Sequence, residues 1–368
     1  MKITIVGAGR GGCTLAADLT LMGHDVTLYQ HPNFAASTLD PIRENGGIEI
    51  HGVTMSGKNG KAMPKLSCDA KEAVHGAEVV VFSLASFGHG DMMPEVIPHL
   101  EDGQVCMVTT GYWCSLRFRD LILRSDRKIY WVELELLPYL TDKPNATRVD
   151  VMAVKKSLGF SAFPACDNEY VTPIVKSLFP MVEPAWHNVL EVSAASLNPI
   201  CHMPLILMNL ATIDNTPADK TFNMYGPGTS PMTGKMMEAL DAEKLAFGRL
   251  FGIEMQTAME RRQATYPIAN PEGKGMYHYI IEDTNNEGFV LYPREYFGIL
   301  DEDLPNAIAP MLSIANQYGL ELPLHQSVVN IFKAAYDEHV MDKGLTVESM
   351  GLTNLSKEEL LSLVNEGK

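Results

Sequence analysis

The sequence predicts an α/β Rossmann (doubly wound) N-terminal domain over residues 1–185 and an all-α C-terminal domain over residues 186–368. Three observations carry that expectation. A glycine cluster stands between a β-branched strand and a helix, the later apolar runs of the first half are continuous, and from about residue 186 apolar residues recur at helical spacing. With 368 residues the chain also exceeds the ~250–300 at which a single core stops growing.

The first stretch, KITIVGAGRGGCTLAADLTLMGHDVTLYQ, reads as a strand over Ile3 to Val6, a glycine turn, a helix to about Met22 and a second strand from Asp25 to Tyr29. Gly7, Gly9 and Gly12 fit the dinucleotide fingerprint GxGxxG, with Arg10 and Gly11 inside the loop. Gly7 permits the tight turn, Gly9 lets backbone amides approach a pyrophosphate, and Gly12 allows the helix to pack closely on the strand. The phosphates would rest on the helix N-terminus, where free amides and the dipole favour an anion. The alternative is a glycine turn in an unliganded α/β domain.

The acidic residue that would bind the adenosine ribose should end the second strand, and Tyr29, Gln30 and His31 stand there instead. A 2′-phosphate is then not repelled, and Arg10 and His31 can approach it. NADP(H) is favoured over NAD(H). Asp25 comes too early and reads as a turn residue.

AEVVVFSLASFGH (77–89) and QVCMVTTG (104–111) read as parallel strands buried on both faces, and KIYWVELELLPY (128–139) as another. Ligands of such sheets lie at the carboxyl ends of strands. Ser86, Phe87, Thr110 and Gly111 would therefore line the nicotinamide side, unless Ser86 and Phe87 form an ordinary loop with one packed ring.

In the second half NVLEVSAASLNPICHMPLILMNLATI, MMEALDAEKLAFGRLFGIEM, APMLSIANQYGL, QSVVNIFKAAYDEHV and SKEELLSLVNEG read as helices separated by turn-rich pieces. A helical domain beside a nucleotide domain would leave a cleft for substrate. The segment SLNPICHMP, 196–204, sets Asn198, Pro199, His202 and Pro204 in an otherwise apolar helical run. Proline inside a helix costs ~3 kcal/mol, so a compensating purpose is expected.

Net charge bounds the partners: 29 Lys+Arg against 45 Asp+Glu give −16, which disfavours nucleic acid and anionic membrane surfaces. Six cysteines show no zinc spacing, so no metal is expected and the thiols read as reduced and mostly buried. Neither a signal peptide nor an apolar run of ~18 residues is read, and a cytoplasmic location is expected.

With these residues placed, the chain resembles the opine dehydrogenases, the octopine and nopaline dehydrogenase family, along nearly its whole length. The resemblance is carried by GAGRGG with AADLTLMGHDVTLY, SFGHGDMMPEVIPHLEDGQ (86–104), VELELLPY (132–139), LNPICHMP, ALDAEKLAFGRLFGI (239–253), REYFGILDEDLP (294–305) and GLTVESMGL (344–352). The histidine and EDLP segments are the specific ones. Such enzymes join an amino acid to a 2-oxo acid and reduce the imine with NADH or NADPH to a secondary amine dicarboxylate.

The resemblance implies that His202 is the catalytic acid/base and that Asp303 of EDLP pairs with it. A histidine suits that task independently, since its unperturbed pKa of roughly 6.5 lets it give and take a proton near neutrality. The bland alternative is an inert core histidine. Asn198 either orients substrate or cofactor amide or caps the broken helix. Glu133 and Tyr139 would line the cleft, against surface or packing roles. The family's arginine after LPY is here delayed to Arg148 by an apparent insertion, which puts its role as a carboxylate anchor in doubt.

The rival readings are a 2-hydroxy or 3-hydroxy acid reductase related to ketopantoate reductase or glycerol-3-phosphate dehydrogenase, and a dinucleotide-sensing protein without turnover. The identities of the amino acid and the oxo acid stay open. So does the oligomeric state, a homodimer included.

Overall fold

The computed structural model describes every residue except Ser125 and residues 287–289. The chain divides into two compact units, Met1–Val192 with Val364–Lys368, and Ser193–Leu363. The division falls a few residues beyond 185 because the intervening segment stays on the first unit's sheet. The Glu183 amide donates to the Leu158 carbonyl at 3.0 Å and the Trp186 amide to that of Phe160 at 2.8 Å.

Strands of the first unit are β1 Lys2–Val6, β2 Asp25–Tyr29, β3 Ile48–Gly52, β4 Gly60–Ala62, β5 Lys65–Ser67, β6 Val79–Phe82, β7 Val105–Thr109, β8 Tyr130–Leu134, β9 Tyr139–Asn145, β10 Arg148–Val154 and β11 Phe160–Phe163. Seven of them form one sheet in the order β11-β8-β7-β6-β1-β2-β5, parallel except for β11 against β8. Its direction of winding reverses between β1 and β6, the point at which such sheets bind ligands. Consecutive residues Ile3, Thr4 and Ile5, Val79, Val80 and Val81, and Val105, Cys106 and Met107 are all buried, as both-face packing requires.

The remaining strands form a second sheet, β4-β3-β10-β9, which the sequence reading did not contain. The helix Arg10–Leu21 packs against both sheets, so Gly12 through Leu19 are all buried. The run 128–139, expected as one strand, is two. β8 stops at Leu134, Glu135 turns to bind the Gly159 amide at 2.9 Å, and Pro138, with no donor for a ladder, precedes β9. The apparent insertion LTDKPNATR is the β9–β10 hairpin.

The second unit is helical. Its principal helices are Leu197–Leu207, Pro231–Leu250, Ala258–Thr265, Pro293–Asp303, Ala309–Gln317 and Pro323–Ala335. Several starts are explicit in sequence: Ser230 with Thr233, and Thr257 with Glu260, form reciprocal caps. Buried ion pairs join the interior, Lys244 with Asp241 and Arg262 with Asp283, each at 2.7 Å. By composition the stretch Val189–Leu207 would suffice to cross a membrane, but it is 89% buried in the fold and Ser196, in non-helical backbone, divides it.

Candidate functional site

In the first unit the glycine loop joins β1 to the helix Arg10–Leu21. Gly7 has φ of 105°, and a Cβ there would lie 2.6 Å from the Ser83 carbonyl at the end of β6. At Gly12 a Cβ would fall 1.7 Å from the Gly7 carbonyl, so only glycine lets the helix start this close to its own turn. Gly9 differs: a Cβ there would meet nothing within 4 Å. The helix it opens has no side-chain cap and no acidic residue in its first turn. Open space in front of uncapped amides fits a dinucleotide pyrophosphate. Gly11 faces Ser83 Oγ and the Leu137 side chain, which close the loop's other side.

Arg10 is exposed on the first turn, and His31 is half-buried, its Nδ1 accepting from the Asn33 amide at 3.2 Å to start the helix Pro32–Asn45. No carboxylate ends β2. Asp25 pairs with Lys65 on the surface at 2.8 Å. After β6, Ser86 is buried in a helical turn and Phe87 is 66% exposed, not packed. Beyond β7, Thr110, Tyr112 and Trp113 all have positive φ, a cluster of strained backbone at the carboxyl end of a sheet strand.

Three residues expected to meet substrate are placed otherwise. Glu133 is fully buried under that strained turn, its carboxylate accepting the Ser115 amide at 2.6 Å and lying where a Cβ on Gly111 would be. The Tyr139 hydroxyl donates to Asp18 at 2.7 Å, and Asp18 also accepts the Met55 and Ser56 amides. This group ties the helix Arg10–Leu21 to the second sheet, and burial together with Asp18 raises the Tyr139 hydroxyl well above its ordinary value. Arg148 begins β10 at the surface and pairs with Asp150 at 2.8 Å. For Tyr139 and Arg148 the second sheet, invisible in the sequence reading, decides the placement, whereas Glu133 is held by the turn after β7.

Within the helix Leu197–Leu207 of the second unit, residues 197–206 are buried except for Asn198 and His202, which are half-buried. Four residues apart, they share one face. Pro199 lies in the first turn, where a missing N–H costs nothing, so within this helix the cost of an interior proline falls on Pro204. His202 Nδ1 lies 2.8 Å from Asp303 Oδ2 across 101 positions of sequence. The His202 side chain is 16% exposed and that of Asp303 only 3%. Because a carboxylate only accepts, Nδ1 carries the proton and Nε2 is left to exchange one. Asp303 is the last residue of its helix and is followed by a π-helical turn, Leu304–Ile308, at Pro305. Such turns recur at functional sites.

Cys201, beside His202, is fully buried, and burial pushes its thiol up to about 11. Tyr225, in the turn-rich piece after residue 222, lies within electrostatic range of Cys201, Arg262 and Asp303, and burial raises its hydroxyl. No periodicity marks such a loop tyrosine in the sequence. Among the described residues no cluster of His, Cys, Asp or Glu could hold a metal ion.

The family model for the NAD/NADP octopine/nopaline dehydrogenase α-helical domain matches residues 185–336. An opine dehydrogenase from an Arthrobacter species is 24% identical over 98% of both chains. Residues 185–336 thus match that family's helical domain, and the chain as a whole is similar to the opine dehydrogenases. Opine dehydrogenases are NAD- or NADP-dependent oxidoreductases that act on CH–NH groups. An octopine dehydrogenase solved with NADH and L-arginine superimposes with TM-score 0.77 at 17% identity, covering 100% of this chain and 98% of that one. A yersinopine dehydrogenase bound to NADP⁺ gives 0.71 at 13% identity, with 100% and 98% covered.

Proposed function

We propose that this chain is an opine dehydrogenase, which condenses an amino acid with a 2-oxo acid and reduces the resulting imine to a secondary amine dicarboxylate. The observation that carries the reading is the His202–Asp303 pair, made from the two segments most specific to the family. NADH or NADPH, when bound on the Gly7–Gly12 loop, supplies the hydride. His202 moves the proton of the reacting amine or imine at Nε2. Asp303 holds the imidazole with its proton on Nδ1 and stabilises the cation that forms when Nε2 takes one. Asn198, one turn before His202 on the same face, orients the bound substrate through its amide.

NADPH is the favoured nucleotide, because no carboxylate at the end of β2 opposes a 2′-phosphate and Arg10 is exposed at the helix start. The amino acid and the oxo acid are not narrowed further, since one methylene changes selectivity by only ~1–3 kcal/mol.

The test is NADH and NADPH oxidation with amino acids crossed against pyruvate, glyoxylate and 2-oxoglutarate, with the product identified by mass spectrometry. Oxidation should need both an amine and an oxo acid and should yield a secondary amine. Equal rates with the oxo acid alone would reassign the chain to hydroxy acid reduction, and no oxidation with any pair would leave a nucleotide-binding protein without turnover.

A further inference from the structure

We infer that Lys143, delivered from the second sheet, is part of the nucleotide site: its ammonium underlies the glycine loop and adds a fixed positive charge to the pyrophosphate-binding helix end. Lys143 lies on β9 in the hairpin that the sequence presents as an insertion. Its Nζ donates to the Ala8 carbonyl, inside the fingerprint, at 2.8 Å, and to Cys13 Sγ at 3.3 Å. Cys13 in turn donates to the same Ala8 carbonyl at 3.2 Å. The side chain is half-buried, and among the described residues no carboxylate lies within ion-pairing distance of it. A partly desolvated ammonium held only by neutral acceptors is costly unless an anion completes it.

The thiol does not cancel the charge. Burial raises Cys13 above its ordinary value, and the opposing pull of Lys143 does not reverse this, so Cys13 stays a neutral thiol. Ala8 adjoins Gly9 and lies two residues from Arg10, and successive Cα atoms are 3.8 Å apart. The ammonium is thus within ~8 Å of the first-turn amides, inside the screening length at physiological salt. It adds to a helix end worth about half a positive charge. Its hold on the Ala8 carbonyl also fixes the loop in the form that leaves Gly9 open. Lys143 is therefore a positioning and electrostatic residue for the pyrophosphate, set beneath the loop where Arg148, the basic residue expected to matter, is not.

This inference rests on the nucleotide reading of the loop, and the experiment separates the two. NADH, NADPH and ADP-ribose, which lacks the nicotinamide, are titrated calorimetrically into the wild-type chain, Lys143→Met and Lys143→Arg at about 50 mM and about 300 mM salt. Lys143→Met should weaken all three by about tenfold at low salt, the gap should narrow at high salt, and Lys143→Arg should retain most of the affinity. Unchanged dissociation constants in Lys143→Met, or a loss equal at both salt concentrations and shared by Lys143→Arg, would assign Lys143 to packing alone. If the wild-type chain bound none of the three, the nucleotide reading itself would fall. Thermal melting checks folding, and Lys143→Gln carries the same test if the methionine variant does not fold.

Discussion

Two of the histidine–carboxylate pairs in the helical unit hold an imidazole away from the open surface, with nearly the same geometry and opposite surroundings. His202 meets Asp303 at 2.8 Å, and His325 meets Glu243 at 2.7 Å. The His325 side chain is only 1% exposed and its Nε2 is buried with no partner. Glu243 accepts the Leu324 and His325 amides as well, so it closes the N-terminus of the helix Pro323–Ala335. His202 keeps its second nitrogen on a half-buried face beside Asn198. A buried carboxylate on an imidazole is thus not by itself a sign of catalysis. What separates the pairs is whether the second ring nitrogen can reach anything.

The largest effect that would break this contrast is on turnover. His202→Ala should lose about 10² to 10⁴ in kcat, the range for general acid/base catalysis, with nucleotide affinity unchanged. His325→Gln should leave kcat within about twofold, its cost appearing in the melting temperature. Comparable kcat losses in the two variants would erase the distinction.

Asp303→Asn comes next. The amide can donate as well as accept, so the proton is no longer held on Nδ1, and kcat should fall and its pH profile should move with the lost charge. Combined with His202→Ala the deficits should not multiply, because residues acting as a unit are not lost twice. A double mutant at the product of the single deficits would show the two to be independent.

For the second pair the signature is stability. Burial opposes ionisation of Glu243, but hydrogen bonds from the His325 ring and from the two amides outweigh it, leaving the carboxyl below its ordinary value. A depressed carboxylate stabilises the fold above the unfolded pKa of ~4.3 and loses that contribution as pH falls through the native value. Glu243→Gln should cost about 1–3 kcal/mol at neutral pH, less in acid, as read by chemical denaturation. A cost independent of pH would mean that the charge of Glu243 contributes nothing.

The smallest effect calibrates the others. Arg148 and Asp150 form an exposed pair, and Arg148→Ala should change stability by no more than about 1 kcal/mol and leave KM for the oxo acid within about twofold. A large rise in KM would restore Arg148 as a carboxylate anchor.

What the sequence alone determined is what short stretches of chain encode. The glycine positions follow from steric demands within a six-residue loop, β1 and β2 follow from the strand–turn–helix–strand pattern around it, and β6 and β7 follow from continuous apolar runs. His202 was conspicuous because polar and proline residues interrupt a buried helical run. Its partner Asp303 was named only through resemblance, since no local pattern joins positions 101 apart. The tertiary structure decided the rest: the second sheet joins two local pairs, β3–β4 and β9–β10, through a pairing of β3 with β10 that is non-local and that no local pattern announces. That sheet turns Tyr139 onto Asp18, leaves Arg148 at the surface and brings Lys143 under Ala8. Local sequence sets backbone conformation over a few residues, whereas a side chain's partner depends on register between distant strands, which only the packed chain defines.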